Sequence, residues 1–190
     1  MEPYATSIFG EMSTLALELG AINLGQGFPD TDGPEEIKQV AIDAIAEGLG
    51  NQYPPVHGLP DLRQAIAEHQ ERFYGLRIDP LTDVVVTTGA SEALGAALLA
   101  LCQEGDEVIL FEPWFDIYAV GVALANARRV AVPLRPPTFR PDLDALRDAV
   151  TDRTRLILLN SPHNPTGIVF TPEELQAVAD IAIERDLIVI

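Results

Sequence analysis

The chain has 190 residues, 47% of them hydrophobic, enough to bury one ordinary core and too apolar for wholesale disorder. Its net charge of −17 argues against nucleic acid or an anionic membrane surface as a partner, since both favour basic patches. No apolar run approaches the ~20 residues that span a bilayer, and Met1-Glu2-Pro3-Tyr4 does not open a basic-then-apolar leader. The single cysteine, Cys102, lies in the apolar run 96–102 and reads as a buried helix residue without a disulfide partner, so a reducing, cytoplasmic setting is expected. No metal site is expected.

Residues 1–50 read as an arm and part of a second, smaller domain, and 51–190 as the larger domain. Within the first stretch, 34–48 predicts a helix with Ile37, Val40, Ala41, Ala44 and Ile45 on one face and Pro34 in its first turn. Residues 60–73 predict a second, with Leu62, Ala65, Ile66 and His69 aligned. From Asp83 onward strands and helices alternate. Strands are predicted over 84–88, 107–111, 129–134, 155–160 and 187–190, with helices over 91–102, 115–125, 142–150 and 172–185 between them. Runs such as Val108-Ile109-Leu110-Phe111 and Leu156-Ile157-Leu158-Leu159 are apolar on both faces, as in a parallel sheet covered by helices. The fold class expected is therefore α/β, a doubly wound, mainly parallel sheet with right-handed crossovers. The chain stops within its last apolar strand, which reads as a domain interrupted at Ile190.

Ligands of open α/β sheets bind beyond the carboxyl ends of the strands. After the first predicted strand comes Thr87-Thr88-Gly89-Ala90-Ser91-Glu92, a turn of small residues opening a helix. Such a turn suits a phosphate, or it is an ordinary helix start capped by Ser91. There is no GxGxxG after a strand and no GxxxxGK, so a dinucleotide fold and a P-loop are disfavoured. After the second strand Trp114, Phe115 and Tyr118 offer a plate for a flat ligand, or core for the following helix. After the fourth comes Asn160-Ser161-Pro162-His163-Asn164-Pro165-Thr166-Gly167. Here Pro162 and Pro165 restrict their own φ and the residue before each, holding Asn164 extended at the sheet edge unless the segment is a plain turn. His163 has no carboxylate nearby in sequence and reads as an incidental loop residue. An anion cradle, an aromatic plate and a fixed amide together suit an aromatic ligand bearing a phosphate, with pyridoxal 5'-phosphate the leading candidate by shape.

Four segments, Asn23–Asp30 (NLGQGFPD), Asn51–Arg63 (NQYPPVHGLPDLR), Thr87–Leu94 with Glu112–Tyr118 (TTGASEAL and EPWFDIY) and Asn160–Gly167 (NSPHNPTG), match in order and spacing those of a known family. The chain resembles the class I/II, fold type I aminotransferases, nearest the kynurenine–oxoacid and N-succinyldiaminopimelate branch, over their N-terminal portion. The resemblance implies an incomplete major domain of the pyridoxal-phosphate transferase type and amino transfer between an amino acid and a 2-oxo acid. It implies that Gly89, Ala90 and Ser91 cradle the cofactor phosphate, that Phe115 rather than Trp114 stacks on its ring, and that Asn164, with a cis bond to Pro165, hydrogen-bonds its phenolic oxygen. It places Gly27 beside the substrate carboxylate and has Tyr53 reach the phosphate of a neighbouring subunit, hence a homodimer. The family's Schiff-base lysine, its pyridinium-pairing aspartate and its substrate-clamping arginine are all expected beyond Ile190. Lys38, the one lysine present, sits off the apolar face of its helix beside Glu35 and Glu36 and is no substitute. On this reading the chain alone is inactive. Two alternatives stand beside it: a non-catalytic fragment or interaction module, and a cysteine-conjugate β-lyase using the same cofactor.

Overall fold

The structure, a computed structural model, describes residues 8–27, 29 and 31–190 and divides into two compact units, Met1–Thr87 and Thr88–Ile190. The position near residue 50, where the sequence reading divides the chain, falls inside the first unit.

The first unit holds three helices, α1 (Ile8–Leu19), α2 (Glu35–Ala46) and α3 (Pro60–Tyr74). Pro34 stands one residue outside α2, at its N-cap, while Pro60 occupies the first position of α3, where a missing N–H costs nothing. The apolar face predicted on α2 exists but is uncovered, with Ile37, Val40 and Ile45 all roughly two-thirds exposed. On α3 the structure corrects the predicted face. Arg63 and Ala67, four residues apart, are buried, whereas Leu62 and His69 are exposed. The strand predicted over 84–88 is a second correction. Among the described residues no strand pairs with Val84–Thr87 to form a ladder. The Val86 N–H donates instead to the His57 carbonyl at 3.1 Å. That approach explains the glycine of the 51–63 motif. Gly58 has φ +99°, and a Cβ there would lie 2.5 Å from the Val86 side chain.

The second unit is a four-stranded sheet with helices on both faces. It comprises α4 (Gly89–Leu101), β1 (Glu107–Glu112), α5 (Asp116–Leu124), β2 (Arg128–Pro133), α6 (Leu143–Ala149), β3 (Thr154–Leu158), α7 (Pro172–Glu184) and β4 (Ile188–Val189). Every pairing is parallel and the order is β2-β1-β3-β4. Strand pleating sends alternate residues to opposite faces. Val108, Leu110, Leu156 and Leu158 accordingly join Leu98 of α4 and Val122 of α5 in one buried cluster. Ile109, Phe111 and Ile157 join Leu146 of α6 and Val178 and Ile181 of α7 in the other. The runs that read as apolar on both faces are so because both faces are covered. Cys102 is buried in the first cluster, one residue past the end of α4.

The winding reverses direction in the middle of this sheet. From β1 the chain moves outward through α5 to β2, then returns across β1 through α6 to β3 and continues through α7 to β4. Crossovers of one hand running in opposite directions must lie on opposite faces, and α5 and the α6/α7 pair do. The switch point lies between β1 and β3, so the crevice beyond their carboxyl ends is where a ligand is accommodated.

Candidate cofactor site

Three segments reach that crevice. Five residues separate the end of helix α4 from the start of β1, and at ~1.5 Å per helical residue and ~3.3 Å per strand residue the two are each about 20 Å long. The start of α4 is thereby level with the carboxyl end of β1. Leu94, one turn into α4, packs in the same cluster as Trp114 and Phe115, which follow β1.

At the start of α4, Gly89 has φ +78°, a left-handed conformation that a side chain would strain. Gly89, Ala90 and Ser91 form the first helical turn and are exposed. The first amides of a helix have no partner within it, and the dipole there favours an anion. Ser91 is not the cap. The N-cap is Thr88, which makes no side-chain cap hydrogen bond, and its N–H donates to the Glu92 carboxylate. The turn thus leaves small side chains around its leading amides, as a phosphate would need, with its one acidic side chain engaged by Thr88.

Beyond β1 a cis Glu112–Pro113 bond leads into the aromatic group. The three rings have different surroundings. Tyr118 is core, 8% exposed, and burial raises its phenol pKa. Trp114 is half-buried beneath the Arg129 guanidinium, 5.9 Å from its ring centroid. Phe115 is the N-cap residue of α5, half-buried, and meets Tyr118 edge-on at 5.8 Å and 89°.

Beyond β3 the peptide bonds Ser161–Pro162 and Asn164–Pro165 are both cis. Asn164 is exposed, and its N–H donates to Asn160 Oδ1 at 2.7 Å. The turn is closed by hydrogen bonds from His163 N–H to the Ile168 carbonyl at 2.8 Å and from Gly167 N–H to the His163 carbonyl at 2.7 Å. Ser161 Oγ accepts from Phe170 N–H at 3.1 Å. His163 points inward and is 3% exposed, so it is not the incidental loop residue the sequence reading had it as. Burial lowers its pKa, and a hydrogen bond to the Phe111 backbone works the other way. Asn160, the first residue of the same segment, has a role that the sequence pattern did not single out. The signal available was an Asn in a turn rich in proline, where its side chain can accept from a nearby backbone amide.

Gly89, Ala90, Ser91, Phe115 and Asn164 all belong to the second unit and gather at one edge of its sheet. Gly27 and Tyr53 belong to the first, both exposed, Tyr53 fully so. Phe28 and Asp30 of the 23–30 motif lie outside the described residues. Lys38 is held by Glu35 at 2.6 Å and Asp32 at 3.7 Å on the exposed side of α2.

A parallel α/β sheet with these turns at its switch point defines a fold of the pyridoxal-phosphate transferase type. The profile of the family "Aminotransferase class I and II" matches residues 20–190, and the chain belongs to that family. It is 55% identical over 192 residues to a probable N-succinyldiaminopimelate aminotransferase of Mycobacterium tuberculosis, covering 100% of this chain and 48% of that protein. It is 43% identical to a methionine aminotransferase of Escherichia coli over 97% of this chain and 48% of the relative. Against the solved structure of the Mycobacterium tuberculosis N-succinyldiaminopimelate aminotransferase the TM-score is 0.94 at 54% identity, covering 99% of this chain and 49% of that one. The chain spans about half the length of the curated relatives it matches. Among the described residues no helix is long and apolar enough to cross a membrane.

Proposed function

We propose that the protein carrying this chain is a pyridoxal-phosphate-dependent aminotransferase, moving an amino group between an amino acid and a 2-oxo acid in the cytoplasm, and that residues 1–190 supply the non-covalent half of its cofactor site. The observation that carries the reading is the convergence of Gly89–Ser91, Phe115 and Asn164 at the β1/β3 switch point of a chain in this family. When bound, the cofactor supplies an electron sink that carries the amino group between the two acids.

Each residue of this chain has a task in that scheme. The amides of Ala90 and Ser91 hold the phosphate at the start of α4, where the helix dipole adds to their hydrogen bonds. Phe115 stacks on the ring and excludes water from one face. The Asn164 side-chain amide donates to the ring's phenolic oxygen. Gly27, lacking a side chain, leaves its backbone open to the substrate carboxylate. Tyr53, fully exposed in this chain, reaches the phosphate of a second subunit, so the assembly is a homodimer with shared sites. Residues 1–50 form the arm and part of a small domain, and 51–190 belong to the cofactor-binding domain. The lysine that links to the cofactor comes from outside residues 1–190, since Lys38 is ion-paired on the surface of α2. The 55% identical relative makes N-succinyldiaminopimelate the first amino donor or product to assay.

Residues 1–190 alone are expected to show no turnover of any amino acid with a 2-oxo acid. The same chain joined to the C-terminal half of the Mycobacterium tuberculosis relative is expected to turn over. Activity of residues 1–190 that survives Lys38→Ala would overturn the placement of the lysine. A chimera that unfolds cooperatively yet transfers no amino group would overturn the amino-transfer reading.

A further inference from the structure

His163 is the side chain that the Asn160–Gly167 turn drives into the core, and the function proposed above gives it no task. A histidine in an apolar cluster is costly unless both ring nitrogens are satisfied. Here they are. Nδ1 lies 2.8 Å from the Thr166 hydroxyl. A hydrogen bond also joins the ring to the Phe111 backbone. The ring is thus bonded both to Phe111 at the end of β1 and to Thr166 in the turn after β3. The ring also packs against Phe170 at 6.4 Å and 63°. On the other side of Asn164, Asn160 Oδ1 takes the Asn164 N–H at 2.7 Å.

Asn164 therefore stands between the buried His163 before it in the turn and the Asn160 side chain that takes its N–H. We propose that His163 and Asn160 are positioning residues for Asn164, the imidazole serving as a rigid donor–acceptor link that ties the turn after β3 to the carboxyl end of β1 across the switch point. The assignment rests on the reading of Asn164 as a cofactor contact. Its physical content is that the bonds of His163, more than its volume, set where Asn164 stands. Burial alone would favour leucine at this position over any polar group.

The test uses the 190-residue chain joined to the C-terminal half of the Mycobacterium tuberculosis relative, with two readouts, amide hydrogen exchange at Asn164 and Gly167 and equilibrium dialysis of pyridoxal 5'-phosphate. His163→Leu is expected to speed exchange at both amides at least tenfold and to weaken the cofactor at least tenfold, with exchange in α7 unchanged. His163→Gln, which keeps a donor and an acceptor, is expected to stay within about threefold of the parent in both. Asn160→Ala is expected to speed exchange at Asn164, and Asn160→Asp, which keeps the acceptor, to restore it. Equal losses from His163→Leu and His163→Gln, or no change in exchange from His163→Leu and Asn160→Ala, overturn the proposal. Should the parent chimera fail to bind the cofactor while the exchange pattern holds, the positioning stands and it is the cofactor reading of the turn that fails.

Discussion

In the second unit every residue of β1 from Val108 to Phe111 is buried, alternating between two clusters; in the first unit no residue of α1 or α2 is buried at all. Both regions carry the periodicity that marks a face for burial. The second finds the covering elements within its own hundred residues, since α4 and α5 close one face of the sheet and α6 and α7 the other. The first does not. Ile22 and Leu24 are 86% and 92% exposed, and among the described residues Arg63 is buried with its Nε unpartnered. A hydrophobic pattern states which face requires a partner. It carries no information on whether the partner lies in the same stretch of chain.

Four substitutions probe this contrast, from the largest effect to the smallest. Leu156→Ala, at a site with no exposed surface contacting both β1 and the α4/α5 layer, should cost about 3 kcal/mol by urea denaturation, through lost transfer energy and the cavity left behind.

Glu107→Gln acts on a carboxylate buried at the amino edge of the sheet. Its carboxylate accepts from Arg128, from Thr151 Oγ1 at 2.7 Å and from Arg153 at 2.9 Å. The two guanidinium groups cover it, and the hydrogen bond from Arg128 foremost holds its pKa down to about 2 from 4.5, against the cost of burial. The arginines are themselves about two-thirds exposed, so solvent weakens the pairs and the substitution should cost about 2 kcal/mol at pH 7. Because the folded pKa is depressed, this contribution is complete above about pH 4.5 and fades as pH falls toward 2. The stability gap between parent and variant should shrink over that window in acid titrations.

Thr171→Ala removes the capping box at the start of α7, in which Thr171 and Glu174 each satisfy the other's backbone N–H. It should cost about 1 kcal/mol by the same denaturation assay. Val40→Ala, on the uncovered face of α2, should cost less than about 0.5 kcal/mol. A loss there comparable with that of Leu156→Ala would mean that α2 has a partner in solution and that the contrast between the units is wrong.

Particular residues show how much of this was legible. The strands β1 and β3 were readable because continuous apolar runs of four to six residues have few other uses in an alternating α/β pattern. The cis Asn164–Pro165 bond agrees with what the family resemblance implied. Helix α1 was legible but not read, since Ile8, Met12, Leu15 and Leu19 recur at helical spacing. The strand expected over 84–88 failed for a reason no local pattern contains, because a strand exists only against a neighbour. Ser91 failed as a cap because the left-handed Gly89 lets the helix begin two residues earlier. The inward turn of His163 was illegible too. Its partners, Phe111 and Phe170, are brought to it only by the pairing of β1 with β3 and the return of the chain into α7.

The central claim is that the crevice beyond β1 and β3 holds the cofactor through Ser91, Phe115 and Asn164. Pyridoxal 5'-phosphate titration of the chimera with the Mycobacterium tuberculosis half, comparing Asn164→Ala, Phe115→Ala and Lys38→Ala, tests it most directly. Asn164→Ala and Phe115→Ala are expected to weaken binding at least tenfold, and Lys38→Ala to change it less than twofold. Loss of binding with Lys38→Ala, alongside full affinity in the other two, would contradict that claim.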